Sequence, residues 1–441
     1  MKIAICGAGP AALEMSLELS DLGASVTLFS HQRMAESFLC LAEAFAQRTM
    51  CASWRLLIPA TYYHFVKSSL DDVPTYGDYQ KLYLNPLIQL CREKILLKPH
   101  KVLRIQKRFL APHEEVPGRV RLADLFRVIY EVNPEKTLQQ QMTNNPALFK
   151  SMHTDILCSL KQNIENYEDF DIVVDATDIL SNPLPLGASH GHALNETLLR
   201  GAAKISYGIQ EICRDWSEIL KEKELIVVGS GETAGLVLAE LAVWLKNDNH
   251  KLYFVTTDIR PFLQAQEDIQ QVLKHAEAHW QEQRTQFESA LRNWQLLEDY
   301  EKAKIPRPAM PVPKIKFFPG YNITSLDKMI DTEGVYITIE RADFRFGEAR
   351  REKDDLKTLP AKRIIVATGY SLNYHLYTGL RVAWDTRLNG SLDGHGLHPE
   401  PGLYTHSQVN PTEVFNPSQG SERNATIKQN ILSFFTKVEG C

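Results

Sequence analysis

Short, wholly apolar runs separated by stretches with helical spacing set the architecture of this chain. Residues 2–6 are apolar after Lys2, as a strand buried on both faces of a parallel sheet should be. Glycine interrupts at Gly7 and Gly9. Residues 11–22 then read as a helix with Leu13, Leu17 and Leu19 among its apolar positions, and Gly23 leads into a second strand, Ser25–Phe29. This is a β-α-β unit of about 30 residues. The same order recurs far along the chain: apolar Leu225–Val228, then Gly229 and Gly231, a helical stretch Thr233–Leu245, and a second strand Lys251–Thr256. Two more apolar runs, Asp171–Asp175 and Arg363–Val366, each continue into Ala-Thr and bracket the second unit. Alternation of strand and helix predicts an α/β chain with two Rossmann-like domains.

Between these signatures the pattern is less pointed. Residues 264–302 contain no Gly or Pro, and Val272, Ala276, Trp280, Phe287, Leu291, Trp294 and Leu297 recur at helical spacing. One or two helices are expected there, as an insertion packed on the second domain; a lid or dimerisation element is the other reading. The proline-rich stretch Ile305–Pro313 predicts a stiff extended connector. Residues 74–97 predict a helical excursion whose aromatic residues are core, the other reading being that they line a substrate cavity. Val335–Arg341 alternates as a half-buried strand within a β-rich stretch at 315–362. Residues 381–420, rich in Gly, Asn, His and Pro, are expected to be loops that shape a site.

Composition narrows the function classes. The 441 residues are 44% hydrophobic and 23% charged with a net charge of −5, ordinary for a globular protein and giving no electrostatic reason to expect nucleic acid or an anionic membrane as partner. No apolar run approaches the roughly 20 residues of a membrane helix. The N-terminal apolar segment runs straight into Gly7-Ala8-Gly9, which is not the build of a signal peptide. Seven scattered cysteines (Cys6, Cys40, Cys51, Cys91, Cys158, Cys213, Cys441) form no C-x-x-C pair. A reduced, cytoplasmic chain is expected, without a zinc site or a dithiol centre. His190 and His192 have no third ligand nearby, so no metal is expected.

The chemistry therefore rests on the glycines. Gly-x-Gly between strand and helix lets the backbone turn tightly, approach a pyrophosphate and aim a helix N-terminus at it. Gly7, Ala8, Gly9, Pro10 and Ala11 are the first candidate set, with Ala12 in place of the third glycine. Ser30 stands where such units usually carry an acid for the ribose. The second set is Gly229, Ser230, Gly231, Glu232 and Thr233. Beyond its second strand, Thr256, Thr257 and Arg260 lean towards the 2′-phosphate of NADPH, while Asp258 argues for NADH, the less expected coenzyme. One such site suggests a dinucleotide; two suggest an electron donor and an acceptor. No Ser/His/Asp or Cys/His set is assembled by spacing, so catalytic side chains are unassigned.

With these motifs the chain resembles the two-dinucleotide-binding-domain flavoproteins, and among them the class B flavin monooxygenases and related bacterial FAD/NAD(P)H oxidoreductases. The resemblance is carried by Gly7-Ala8-Gly9-Pro10-Ala11-Ala12, Gly229-Ser230-Gly231-Glu232-Thr233-Ala234 and Ala367-Thr368-Gly369-Tyr370, in that order. It implies an FAD domain at 1–184 and 363–441. An NAD(P)H domain at 185–362 is inserted in it, with a helical insertion at about 262–304. Thr177, Thr368 and Gly369 are implied to lie in crossing loops near cofactor, although Asp178 replaces the glycine expected after Thr177. The implied function is FAD-dependent oxidation with hydride from NADPH, monooxygenase-like and acting on a small molecule. A reductase without oxygen insertion and a non-catalytic nucleotide-binding relative remain the alternatives. A homodimer is open.

Overall fold

The computed structural model describes residues 1–50, 52–111, 117, 121, 124–132, 146, 164–177, 180, 182–188, 191–200, 204–262, 267–330, 333–341, 356–371, 374–377, 379–380, 384–385, 390–391, 402–405 and 427–431. The chain divides into two compact units, Met1–Asn182 with Ser371–Cys441, and Pro183–Tyr370.

The first unit is built on a five-stranded parallel sheet in the order Leu403–Thr405, Ile172–Asp175, Lys2–Cys6, Ser25–Phe29, Leu96–Lys98. Apart from exposed Lys2, the strands Lys2–Cys6 and Ile172–Asp175 are buried throughout, which is why their sequence shows no alternation. The helix Pro10–Asp21 returns between the first two strands and starts on a proline, whose missing N–H costs nothing at a first turn. An antiparallel sheet of Lys101–Lys107, Phe126–Val132 and Ile164–Phe170 adds a second layer. Phe29, Ile105, Phe126, Val128, Phe170 and Val173 meet in the core between them.

Residues 76–94 are helical, as the excursion reading expects, with a π turn at Gln80–Leu84 just before Pro86, which cannot donate the next helical bond. Tyr76, Tyr79 and Tyr83 are buried, and Tyr79 stacks on Trp54 with centroids 6.1 Å apart. These aromatics are core.

The second unit repeats the plan. Its parallel sheet runs Ile315–Pro319, Lys251–Thr256, Glu224–Val228, Arg363–Val366, Lys204–Tyr207. An antiparallel sheet of Tyr321–Lys328, Val335–Arg341 and Leu356–Ala361 covers it, and Val335–Arg341 alternates buried and exposed as expected.

One placement corrects the sequence reading. Arg363–Val366, expected to begin the returning part of the first domain, is an inner strand of the second sheet, hydrogen-bonded between Glu224–Val228 and Lys204–Tyr207. A continuous apolar run fits the middle of any parallel sheet, and nothing in Ile364-Ile365-Val366 says which one.

The insertion is a single 29-residue helix, Glu267–Gln295, about 43 Å long, followed by a short helix Asp299–Lys302. Its first turns anchor it: Ile269 is buried against Phe262, with Val272 and Leu273 packed beside it. At the far end Trp294 Nε1 donates to Ile305 O at 2.9 Å, tying the helix to the start of the proline-rich connector. Most of residues 381–420 lie outside the described residues. No helix among the described residues is long and apolar enough to cross a membrane.

Candidate functional site

Each unit carries a glycine cradle at the carboxyl edge of its parallel sheet, and the two agree bond for bond. In the first, Gly7 N donates to Phe29 O at 2.8 Å, and Ala176 N donates to Cys6 O at 2.8 Å. In the second, Gly229 N donates to Val255 O at 2.9 Å, and Ala367 N donates to Val228 O at 2.8 Å. Both leading glycines adopt left-handed backbone, φ 112° at Gly7 and 118° at Gly229. A Cβ on Gly7 would lie 2.0 Å from Ala176 O, and one on Gly229 would lie 2.2 Å from Ala367 O. Each turn thus rests directly on the backbone of an Ala-Thr crossing.

The second glycine of each pair does the opposite. A Cβ on Gly9 or on Gly231 would meet nothing within 4 Å. Each is the N-cap of the helix that follows, and neither helix has a side-chain cap there. Among the described residues, the space next to each of these glycines at the positive end of a helix dipole is therefore open, the setting in which helix amides bind an anion such as a pyrophosphate. Ala8, Pro10 and Ala11 line the first turn; Ser230, Glu232 and Thr233 line the second. Glu232 is half-buried in its helix's first turn, and Thr233 is buried.

Around the first cradle the polar groups are committed to the fold. The Ser30 hydroxyl donates to Gln32 O at 3.1 Å and accepts Gln32 N at 3.3 Å, a local turn that a ribose would have to share. Asp175 is buried beside the turn, and its Oδ1 accepts Thr177 N at 3.0 Å and Thr177 Oγ1 at 2.7 Å. Burial pushes the Asp175 carboxyl up to about 6, against the pull of these two bonds. The Cys6 thiol, opposite Asp175 in the strand register, is pushed up by burial and by that carboxylate. Sequence reasoning passed over Asp175 as a functional position. Its signal was an acid ending an otherwise apolar strand.

Around the second cradle the strand end is organised by Asp258. Thr256 Oγ1 donates to Ser230 Oγ at 3.0 Å and accepts Asp258 N at 3.1 Å; Asp258 Oδ1 accepts Arg260 N at 2.9 Å. Asp258 Oδ2 stands 3.5 Å from Ser230 Oγ. The carboxylate is thereby held over the glycine turn, while Thr257 and Arg260 are exposed.

Thr368 and Gly369, expected near the flavin, lie beside the second cradle. Thr368 Oγ1 donates to Leu184 O at 2.9 Å and Gly369 O accepts Leu184 N at 2.9 Å. Their place follows from Arg363–Val366, which delivers them to the second sheet's edge. Thr177 lies against the first turn, its Cα 2.8 Å from where a Cβ on Gly7 would stand. Asp178 and His190 lie outside the described residues. His192 is exposed, 3.6 Å from Glu196, a buried carboxylate that accepts Leu186 N, Ala193 N and the Tyr207 hydroxyl. That cluster pins a loop and has no catalytic geometry. Cys6, Cys40, Cys91 and Cys213 are free thiols, and the described residues hold no cluster of His, Cys, Asp and Glu fit for a metal.

No protein-family model matches the sequence, and a comparison with curated proteins finds no relative. Solved structures do match over nearly the full length. Bacillithiol disulfide reductase from Bacillus cereus superposes with a TM-score of 0.58 at 13% identity, over 98% of this chain and 99% of that one. Thioredoxin reductase of T. acidophilum gives 0.53 at 12% identity, over 98% of each chain. The FAD-bound cadaverine monooxygenase of desferrioxamine biosynthesis from Erwinia amylovora gives 0.54 at 11% identity, over 97% and 94%. At such identities the likeness is one of fold: two Rossmann-type domains, as in FAD/NAD(P)-dependent flavoproteins.

Proposed function

We propose that this protein is an FAD-dependent oxidoreductase that takes hydride from a nicotinamide coenzyme, with FAD held by the first unit and the coenzyme by the second. The observation that carries the reading is the matched pair of cradles, each closed behind its first glycine and open above its second. The residues fit the groups: helix amides behind Gly9 and Gly231 suit a diphosphate, and among the described residues nothing lies within 4 Å of a Cβ at either glycine. Bound FAD would supply the redox chemistry, accepting a hydride from the coenzyme and passing electrons to a substrate. The chain's own part is to grip both diphosphates and keep each turn rigid, through Asp175 and Thr177 in one unit and Thr368 and Gly369 in the other. This leaves little for a protein acid–base set to do.

On the coenzyme, the geometry at the strand end favours NADH over the NADPH that Thr256, Thr257 and Arg260 suggest. A carboxylate fixed beside the glycine turn accepts bonds from free ribose hydroxyls and repels a 2′-phosphate. Of the possible reactions, oxygen insertion into a small molecule is our first reading, from the likeness in motif order. Reduction without oxygen insertion is the second, and the bacillithiol and thioredoxin reductase folds keep it in view.

The purified protein, supplied with FAD, is expected to be yellow and to bleach under nitrogen on addition of NADH. Readmitted oxygen with a candidate substrate present then separates the two reactions: product labelled from ¹⁸O₂ marks oxygen insertion, while electrons recovered wholly as hydrogen peroxide or on an added acceptor mark reduction alone. A colourless protein that takes up no FAD would sink the proposal.

A further inference from the structure

Asp175 closes an otherwise apolar strand, lies between Lys2–Cys6 and Leu403–Thr405 in the first sheet, and is 3% exposed. Its Oδ1 holds both the backbone N and the hydroxyl of Thr177. The turn so fixed is the one Gly7 rests on, since a Cβ on Gly7 would lie 2.0 Å from Ala176 O and 2.8 Å from Thr177 Cα. The groups around the carboxyl are few. Cys6 faces it from the neighbouring strand, and burial pushes that thiol well up, so it stays neutral. Thr405, its register partner on the other side, carries no charge. The helix Pro10–Asp21 brings Glu14, Glu18 and Asp21, which are engaged by the Tyr83 hydroxyl, Lys428 and Lys94.

We infer that the first cradle takes up a proton at Asp175 together with its dinucleotide, so that its hold on FAD weakens as pH rises; the inference rests on the reading of the first cradle given above. Neighbouring parallel strands lie about 4.8 Å apart, and Gly9 is three residues beyond Cys6, the register partner of Asp175. The carboxyl therefore lies on the order of 10 Å from the amides at Gly9. A diphosphate on those amides and an ionised Asp175 repel each other. At an effective dielectric constant of about 20, one pair of unit charges at that distance costs on the order of ten-fold in affinity. Protonation removes the repulsion and still leaves a carbonyl oxygen for Thr177. Burial already pushes the carboxyl up to about 6. A diphosphate raises it further, to about 7 for a ten-fold effect. Affinity is then full below about pH 6, falls between the two values, and levels off above about pH 7.

The test is titration of the purified full chain with FAD at pH 5, 6, 7 and 8, read by flavin fluorescence and by calorimetry. FAD itself has no group that titrates over this range. Wild type should lose on the order of ten-fold in affinity from pH 5 to pH 8. Calorimetry in two buffers of different ionisation enthalpy should show uptake of about half a proton near pH 6.5. Asp175→Asn should hold the wild type's pH 5 affinity within about two-fold at every pH. His31, which follows Ser30 and is pushed below its ordinary value chiefly by burial, is the control: His31→Gln should keep the fall. A wild-type affinity that is constant or rises with pH overturns the inference and leaves the functional reading standing. So does a fall that survives in Asp175→Asn or disappears in His31→Gln. If Asp175→Asn does not fold, wild-type calorimetry decides, and zero proton uptake overturns the inference. A chain that takes up no FAD at any of these pH values overturns both.

Discussion

Replacing Asp175 with Asn tests a buried carboxyl beside the first cradle. Asp175 is almost fully shielded, and burial outweighs the two bonds from Thr177 to raise its carboxyl from 3.8 to about 6. A group whose folded pKa is raised favours the protonated fold. Its contribution is most favourable below the unfolded pKa and is lost as pH climbs from about 4 through about 6. At 1.36 kcal/mol for each pKa unit, the loss amounts to about 3 kcal/mol, of which roughly 1.4 kcal/mol falls between pH 5 and pH 8. Asn keeps an oxygen for Thr177 N and Oγ1 and carries no charge. Asp175→Asn should therefore gain stability relative to wild type as pH rises, by on the order of 1.4 kcal/mol between pH 5 and pH 8. Urea unfolding followed by fluorescence at pH 5, 6, 7 and 8 measures it directly. If wild type and variant have parallel pH profiles, the carboxylate is not the strained group the geometry makes it. Asp175→Ala, which also removes the acceptor, should release the Ala176-Thr177 turn and weaken FAD uptake at every pH.

Other substitutions separate structure from binding. Gly7→Ala puts a Cβ 2.0 Å from Ala176 O on a backbone with φ 112°, and should destabilise the first unit by more than about 3 kcal/mol; an unchanged melting temperature would count against the stacked-turn geometry. Gly231→Asp meets open space and adds a helix cap. Its melting temperature should hold or rise, while NADH loses at least about a hundred-fold in affinity, through the carboxylate set where the diphosphate belongs; retained NADH binding by calorimetry would refute the placement. Asp258→Ala removes the carboxylate beside Ser230. Flavin reduction kinetics should show the NADPH-to-NADH preference moving at least about ten-fold towards NADPH, and an unmoved ratio would clear Asp258 of that role.

Much of this fold could be read from residue order, because both β-α-β units obey local rules: buried strand, glycine turn, apolar helix, second strand. A helical insertion was plain too, since no Gly or Pro interrupts 264–302, though its forming one long helix, Glu267–Gln295, was one of two readings. What could not be read was partnership. Arg363–Val366 has the composition of any inner strand, and only its pairing with Glu224–Val228 and Lys204–Tyr207 assigns it. Lys204–Tyr207 escaped notice because Ser206 breaks its apolar run. Ser206 is buried only because its hydroxyl bonds Asp215 and accepts Arg363, a pairing made by distant residues. The site residues divide the same way. Gly7, Gly9, Gly229 and Gly231 announce themselves. Ser30 looks free to meet a ribose but spends its hydroxyl on Gln32. Asp258 looks like one loop acid among several until Thr256 and Arg260 are seen to fix it.

The two kinds of glycine also bear on whether the fold has kept its ligands. Gly7 and Gly229 are required by packing alone, since each touches a crossing backbone that admits no side chain. They would be needed in a protein that binds nothing. Gly9 and Gly231 are not required in that sense. Their φ values, −68° and −79°, suit any residue, and among the described residues a Cβ there would meet nothing within 4 Å. A helix with only a structural task is served at its N-cap by Ser, Thr, Asp or Asn, whose side chain bonds the exposed amides and is worth about 1 kcal/mol over Ala there, though only a few tenths over Gly. Both helices here leave those amides without a side-chain cap. A bare backbone facing open space at two matching positions is what a close-fitting diphosphate calls for, and packing alone gives no reason for it.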